Sequence, residues 1–294
     1  MPQTQSNYPA RKETTQSSSA ASFGRYVCPA CKSALTPKCD ALSCETYQVA
    51  YPIVEGIPDF IVQDLTQNTH PNLRRVKAFD WLAPIYVTKL RYPLVINLYA
   101  GLGSTSLEEL RQNIARIVEI EKGLILDVAC GPGTLGRRLI SRSKAVYGID
   151  VSMAMLRQGV AFAKREHIAN IHFSRAMAQA LPFQDGLFDA AICGGALHLF
   201  ADAVLALREI ALTMKDEAPL GVTTFIDGNT EIVRFRRVRK HLQERGIHVF
   251  ELPELRRCLA ETRLEDFRPQ VYGSLLIFSA RKRDTLAATW RDQR

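Results

Sequence analysis

Asp127 and Asp150 are the side chains whose placement points most directly to chemistry. Asp127 lies in an apolar run, Leu124-Ile125-Leu126-Asp127-Val128, followed at once by Ala129-Cys130-Gly131-Pro132-Gly133-Thr134-Leu135-Gly136. Asp150 ends a second apolar run, Tyr147-Gly148-Ile149-Asp150. A buried strand, a glycine turn, a helix over residues 135–141 and a second strand ending in an acid make a βαβ nucleotide-binding unit. Glycines at such a turn let backbone approach a ligand where a Cβ would clash. An acid at the tip of the second strand can accept hydrogen bonds from both hydroxyls of a ribose. The spacing G-x-G-x-x-G is formally met by Gly131, Gly133 and Gly136. The acid four residues ahead of Gly131 suits a cationic ligand better than a pyrophosphate, so the pattern departs from a dinucleotide site.

Asp127-x-x-Cys130-Gly131-x-Gly133 has the acid-then-glycine order of class I S-adenosylmethionine-dependent methyltransferases. The chain from about 123 to 283 resembles that family segment by segment. Asp150-Val151-Ser152 resembles its ribose acid and helix start. Ala180-Leu181-Pro182-Phe183 and Gly186-Leu187-Phe188-Asp189 resemble its adenine-side loop and the approach to strand four. Ala196-Leu197-His198 follows that strand, and Gly221 to Phe225 and Val271 to Lys282 resemble the last strands. The resemblance is to the UbiE/MenG-like, or methyltransferase type 11, group. It is closer still to plastid and bacterial small-molecule methyltransferases with a Cys-Pro-x-Cys segment ahead of the catalytic domain. The implied fold is α/β: a Rossmann-like seven-stranded sheet, a helical substrate cover and a small N-terminal zinc-ribbon-like, Trm112-like module. The implied cofactor is S-adenosylmethionine, against Asp127, Ala129, Cys130, Gly131, Gly133, Asp150, Val151, Met155, Met177, Ala178 and Cys193. Met177 is a departure, because the family usually places there an Asp that binds the adenine amino group.

S-adenosylmethionine carries its own activated methyl group, so the protein mainly supplies alignment, plus a base where the nucleophile needs one. His198 is the candidate acid or base, since an imidazole with an ordinary pKa near 6.5 suits proton removal at cellular pH. The competing reading is a histidine packed at a helix start that shapes the pocket. Tyr86 is a second catalytic candidate, although a phenol near pKa 10 serves mostly as a hydrogen-bond partner. Trp81, Tyr86, Tyr99 and His198 are candidate substrate contacts, with Arg236 facing an anionic group from a basic, amphipathic helix. Cys130 and Cys193 read as small packing residues, because the sequence sets no base near either.

Cys28, Cys31, Cys39 and Cys44 crowd the start of the chain. Without a secretion signal, metal ligation is the natural alternative to disulfides. Cys28-Pro-Ala-Cys31 forms a knuckle whose two thiolates can reach one zinc ion. The second knuckle reads Cys44-Glu45-Thr46-Tyr47, so its last cysteine is missing. Cys39 is the remaining candidate, at unsuitable spacing, and a metal-free ribbon held by its apolar residues is the alternative.

These elements divide the 294 residues into five parts. Residues 1–22 read as a disordered tail, 23–63 as the ribbon-like module and 64–120 as the helical cover. Residues 121–284 read as the cofactor-binding core and 285–294 as a basic tail. No apolar run reaches the roughly 18 residues a membrane span needs, and the expected compartment is cytoplasmic. Net charge is +8, compatible with an anionic small molecule or with RNA. The expected activity is methyl transfer to a small, apolar or aromatic molecule. The alternatives are an RNA base methyltransferase of the rRNA guanine type and a cofactor-binding, non-catalytic partner subunit.

Overall fold

Short strands separated by turns open the chain. In the computed structural model, which describes residues 23–61, 107–118, 120–227, 244 and 246–283, β1 (Thr36–Pro37), β2 (Ala41–Cys44), β3 (Val49–Val54) and β4 (Ile57–Pro58) pair in that order. All these pairings are antiparallel. Helix α1 (Leu107–Ile117) follows, then the larger sheet.

That sheet is dictated by uninterrupted apolar runs, which need cover on both faces. All six residues of β5 (Gly123–Val128) are buried. Helix α2 (Gly136–Leu139), β6 (Ser143–Asp150), α3 (Met153–Arg165) and β7 (Ile171–Arg175) come next. They are followed by β8 (Ala190–Gly194), a 3₁₀ turn at Leu197–Leu199, α4 (Ala203–Thr213) and β9 (Pro219–Phe225). Helix α5 (Leu252–Ala260) and the hairpin β10 (Leu264–Tyr272)–β11 (Leu275–Lys282) close the fold. The order is β10-β11-β9-β8-β5-β6-β7. The five strands from β9 to β7 are parallel, and β11 and β10 add on antiparallel. This is the seven-stranded α/β sheet expected from the sequence. Strand order reverses at the β5–β8 boundary, where an open α/β sheet leaves its ligand crevice.

Caps fix the helix starts on this crevice side. The Ser152 hydroxyl accepts from the Met155 amide at the start of α3, and Asp202 accepts from Leu205 at the start of α4. Each such cap contributes about 1 kcal/mol. Helix α2 is shorter than the span 135–141 read from the sequence. Its first donors go outward, Gly136 to Asp127 and Arg137 to the Gly133 carbonyl. The chain must then turn by Ser143 to start β6.

Part of the expected cover is a core helix instead. Ile114 and Val118 of the α1 segment are buried against the sheet. Gly221 of β9 makes room there, since a Cβ would stand 3.2 Å from Ile117. The rest of the cover, the helix expected around Arg236 and both tails lie outside the described residues.

The two sheets share one apolar interior. Tyr26, Tyr51 and Phe60 of the small module are buried in the same cluster as Tyr147, Phe183 and Phe188 of the core. Tyr26 sits 5.2 Å from both Phe60 and Phe183, ring to ring. Polar ties rim this contact: Arg175 to Asp59 at 2.8 Å and Lys32 to Glu209 at 2.8 Å.

Candidate functional site

The carboxyl ends of β5 and β6 carry the two acids. Asp150 Oδ2 accepts from the Gly131 amide at 2.9 Å, and Oδ1 accepts from the Ser152 amide at 2.8 Å. The second acid thus fastens the glycine turn to the start of α3. Gly131 is left-handed, at φ +54°, and among the described residues nothing but its chain neighbours comes within 4 Å of the place a Cβ would take. Ala129 also adopts φ +53°, which costs a residue with a Cβ about 1–2 kcal/mol.

Asp127 is buried and accepts from the Gly136 amide at 3.0 Å. Burial, reinforced by the nearby charge of Asp150, pushes its carboxyl up to about 7. The site therefore holds a carboxyl poised between its two states, which a cationic ligand would draw to the ionised one.

Cys130 and Cys193 are buried, and burial raises both thiols, Cys193 to about 12. Both side chains pack in the interior beside the turn. Cys130 fills the space above Gly148, where an added Cβ would meet its Sγ at 2.8 Å. Met155 and Ala178 are buried, while Val151 and Met177 are partly exposed at the rim. The backbone runs from Asp150 to this rim through the amide of Ala176, which donates to the Asp150 carbonyl at 3.1 Å.

His198 lies in the turn after β8, at the expected end of the sheet. Its state differs from the expectation of an ordinary imidazole. It is buried with its ring 4.4 Å from Phe225, Nδ1 has no hydrogen-bond partner among the described residues, and burial pushes its pKa down to about 3. The ring is neutral at cellular pH. Tyr86, Trp81, Tyr99 and Arg236 lie outside the described residues.

Cys28, Cys31 and Cys44 converge, with all three sulfurs within 4.8 Å of one another. The expected fourth member, Cys39, does not join them. It sits exposed in the β1–β2 turn, more than about 10 Å along β2 from Cys44 at 3.3 Å per residue.

Several residues that shape the site had no recognisable chemical signature. Arg175, at the end of β7, donates from Nε to the Val151 carbonyl and from Nη1 to Asp59. Lys32 donates to the Leu181 carbonyl and to Glu209, which also accepts from the Leu181 amide. The small module thereby braces both the residue after Asp150 and the loop at Leu181. Only the Ser152 cap was readable, as a serine just ahead of a helix.

Residues 125–217 match the family model described as a methyltransferase domain. The chain is 28% identical over 220 residues to an uncharacterized chloroplastic methyltransferase of Arabidopsis thaliana, covering 69% of this chain and 62% of that protein. It is 37% identical over 94 residues to a demethylmenaquinone methyltransferase of Lactococcus lactis, covering 31% of this chain and 37% of that one. The chain thus spans under two thirds of the length of these relatives. Among solved structures, phosphoethanolamine N-methyltransferase 2 of Haemonchus contortus with S-adenosyl-L-methionine shares the fold at TM-score 0.59 and 14% identity, covering 80% of this chain and 62% of that one. Strand order, the acid-and-glycine turn and these matches define a class I methyltransferase core. Residues 125–217 carry a methyltransferase domain of the S-adenosylmethionine-dependent class, similar over about a third of the chain to demethylmenaquinone methyltransferases.

Proposed function

We propose that this chain methylates a small molecule with an apolar or aromatic body, which carries an anionic group. The observation that carries this reading is the pair of hydrogen bonds from the Gly131 and Ser152 amides to Asp150, beside the open turn at Gly131. The cofactor supplies an activated methyl group when bound there. Asp150 takes the ribose hydroxyls, Gly131 admits the ligand's close approach, Gly133 lets the turn lie against Phe173, where a Cβ would stand 2.8 Å from the ring, and Asp127 faces the ligand's cationic end. Met155, Met177 and Ala178 line the adenine side, with Val151 and Cys193 beside it. His198, with a pKa near 3, is too weak a base to ionise a phenol or amine, so it acts as a neutral hydrogen-bond partner and wall. Trp81, Tyr86 and Tyr99 are the proposed apolar lining, and Arg236 the contact to an anionic group.

The same reading gives the small module a zinc ion on Cys28, Cys31 and Cys44. Three converging thiols within 4.8 Å fit a thiophilic ion. Elemental analysis is expected to find about one zinc per chain. Seven thiols favour a reducing compartment, the cytoplasm in this reading. Among the described residues, no helix is long and apolar enough to cross a membrane.

A second reading, RNA base methylation, is favoured by the net charge of +8. The deciding experiment offers radiolabelled S-adenosylmethionine with deproteinised cell extract in one arm and total RNA in the other. Label in a small extractable product supports the proposal, and label confined to RNA overturns it. Calorimetry accompanies it: S-adenosylhomocysteine should bind, and Asp150→Ala should weaken that binding at least tenfold, a loss typical of charge-assisted hydrogen bonds. Intact binding with no transfer in either arm supports a non-catalytic partner subunit.

A further inference from the structure

The cysteine cluster has three sulfurs, yet structural zinc is almost always four-coordinate and tetrahedral. The position that would complete a second Cys-x-x-Cys knuckle is Tyr47, whose residue is 59% exposed. Its backbone amide instead donates to Cys44 Sγ at 3.4 Å. Cys39 is at the far end of the hairpin. One oxygen stands among the sulfurs: Ser33 Oγ, 2.9 Å from Cys31 Sγ and 3.4 Å from Cys44 Sγ. Cys31 and Cys44 are themselves 3.6 Å apart. A tetrahedral ion with Zn–S near 2.3 Å and Zn–O near 2.1 Å has S···S edges of about 3.8 Å and S···O edges of about 3.5 Å. The Cys31–Cys44 and Ser33–Cys44 edges, 3.6 and 3.4 Å, lie close to these, and the 2.9 Å between Ser33 and Cys31 is a hydrogen bond that would open by about 0.6 Å on taking up the ion.

Backbone geometry holds Ser33 in that place. Lys32 adopts a left-handed φ of +58°, which folds the chain back after Cys31. The Lys32 amide then donates to the Cys28 carbonyl at 2.8 Å, and the Cys28 amide to the Ser33 carbonyl at 2.9 Å. The Lys32 side chain is anchored on Glu209 and the Leu181 carbonyl. Tyr51, the other hydroxyl nearby, reaches Cys28 Sγ alone, at 3.3 Å. That makes it an outer donor to one sulfur, whereas Ser33 spans an edge of the cluster.

We propose that Ser33 is the fourth ligand of the zinc site, which is therefore three sulfurs and one side-chain oxygen, with Cys39 outside it. This rests on the zinc reading above. The test uses the full chain. Elemental analysis of the wild type comes first, and a metal-free, folded chain overturns the zinc reading and this inference with it. Given zinc, X-ray absorption at the zinc edge is expected to fit three sulfurs and one oxygen, and Cys39→Ser to leave both content and spectrum unchanged. Four sulfurs in the wild type, with one lost in Cys39→Ser, would overturn the Ser33 assignment while sparing the zinc. Water can replace the oxygen in Ser33→Ala, so affinity is the readout there. Competition with a chelator should show zinc held at least tenfold more weakly, a loss on the scale seen when zinc-site residues are changed. An unchanged affinity would mean that solvent is the native fourth ligand and would overturn the assignment. Ser33→Cys is expected to give four sulfurs and tighter binding, which separates a ligand position from a merely structural one.

Discussion

A buried carboxyl beside a second carboxyl is unstable as an anion, and Asp127 is such a group. Its folded pKa is raised from 3.8 to about 7. The folded chain therefore binds more protons than the unfolded chain between about pH 4 and pH 7. Where the native state holds the extra proton, stability falls as pH rises through that window and levels off above it. Asp127→Asn keeps an acceptor for the Gly136 amide but cannot ionise. Without ligand, it should match the wild type near pH 3.5, below the window, and exceed it by about 1–3 kcal/mol at pH 8. That range follows because a tenfold change in acidity corresponds to about 1.36 kcal/mol and structural relaxation lowers the total. Urea unfolding at the two pH values checks this, and an equal loss at both would refute it. The same variant should bind S-adenosylmethionine more weakly at pH 8, since it lacks the charge that a cationic ligand prefers. His198 supplies a parallel test: kcat/KM should show no ionisation of this residue between pH 5 and 8. Both acids were legible in the sequence because type and spacing alone mark them. The protonation state of His198 was not, because it depends on burial beside Phe225, a contact between the ends of two strands.

Among elements, the informative feature is the end of β7. Arg175 there joins three segments: its Nε holds the Val151 carbonyl, Nη1 holds Asp59, and its carbonyl accepts from the Phe60 amide at 2.8 Å. The Arg175–Asp59 pair is largely shielded from solvent, with side chains 21% and 12% exposed. Removing one partner strands the other charge. Arg175→Ala should destabilise the chain by about 1–3 kcal/mol and weaken S-adenosylhomocysteine binding several-fold, without removing any proposed ligand contact. Arg175→Lys keeps the charge but loses the fork that serves two acceptors, so it should recover only part of each. Calorimetry at fixed salt measures both variants, and cofactor affinity unchanged in Arg175→Ala would show that the brace does not reach the site. The β5–α2–β6 unit was readable from apolar runs and turn residues, and the seven-stranded sheet from the family resemblance. The brace was not, because Arg175 and Asp59 are distant in sequence and an isolated arginine carries no periodic signal. The extent of α2 was misjudged for a related reason: Gly136 spends its amide on Asp127, a partner that lies before the turn.

For the whole molecule, the sequence reads as a series of units, with the cysteine-bearing segment separate from the core. The packing makes them interdependent. Tyr26 and Phe60 lie in the same apolar cluster as Tyr147 and Phe183, and the Val27 amide bonds to the Pro182 carbonyl at 3.0 Å. A small sheet of short strands has little interior of its own, and domains that small are marginal alone. The stability of residues 23–61 is therefore borrowed from the larger sheet. Amide hydrogen exchange against denaturant is the direct measurement. If the two sheets unfold together, the slowest amides of β2 and β3 should open with the same free energy and denaturant dependence as those of β5 and β8, the signature of one cooperative unit. An independent module would exchange at lower denaturant, with a smaller slope, while the core stayed protected. A saturating ligand adds a second arm. At a hundredfold excess over Kd, S-adenosylhomocysteine should raise the opening free energy by about 2.7 kcal/mol. In a single unit that gain emerges equally in β2 and in β5, although no cysteine-bearing residue of the small module is proposed to touch the ligand. A gain confined to the large sheet would show that cofactor binding and the small module are uncoupled.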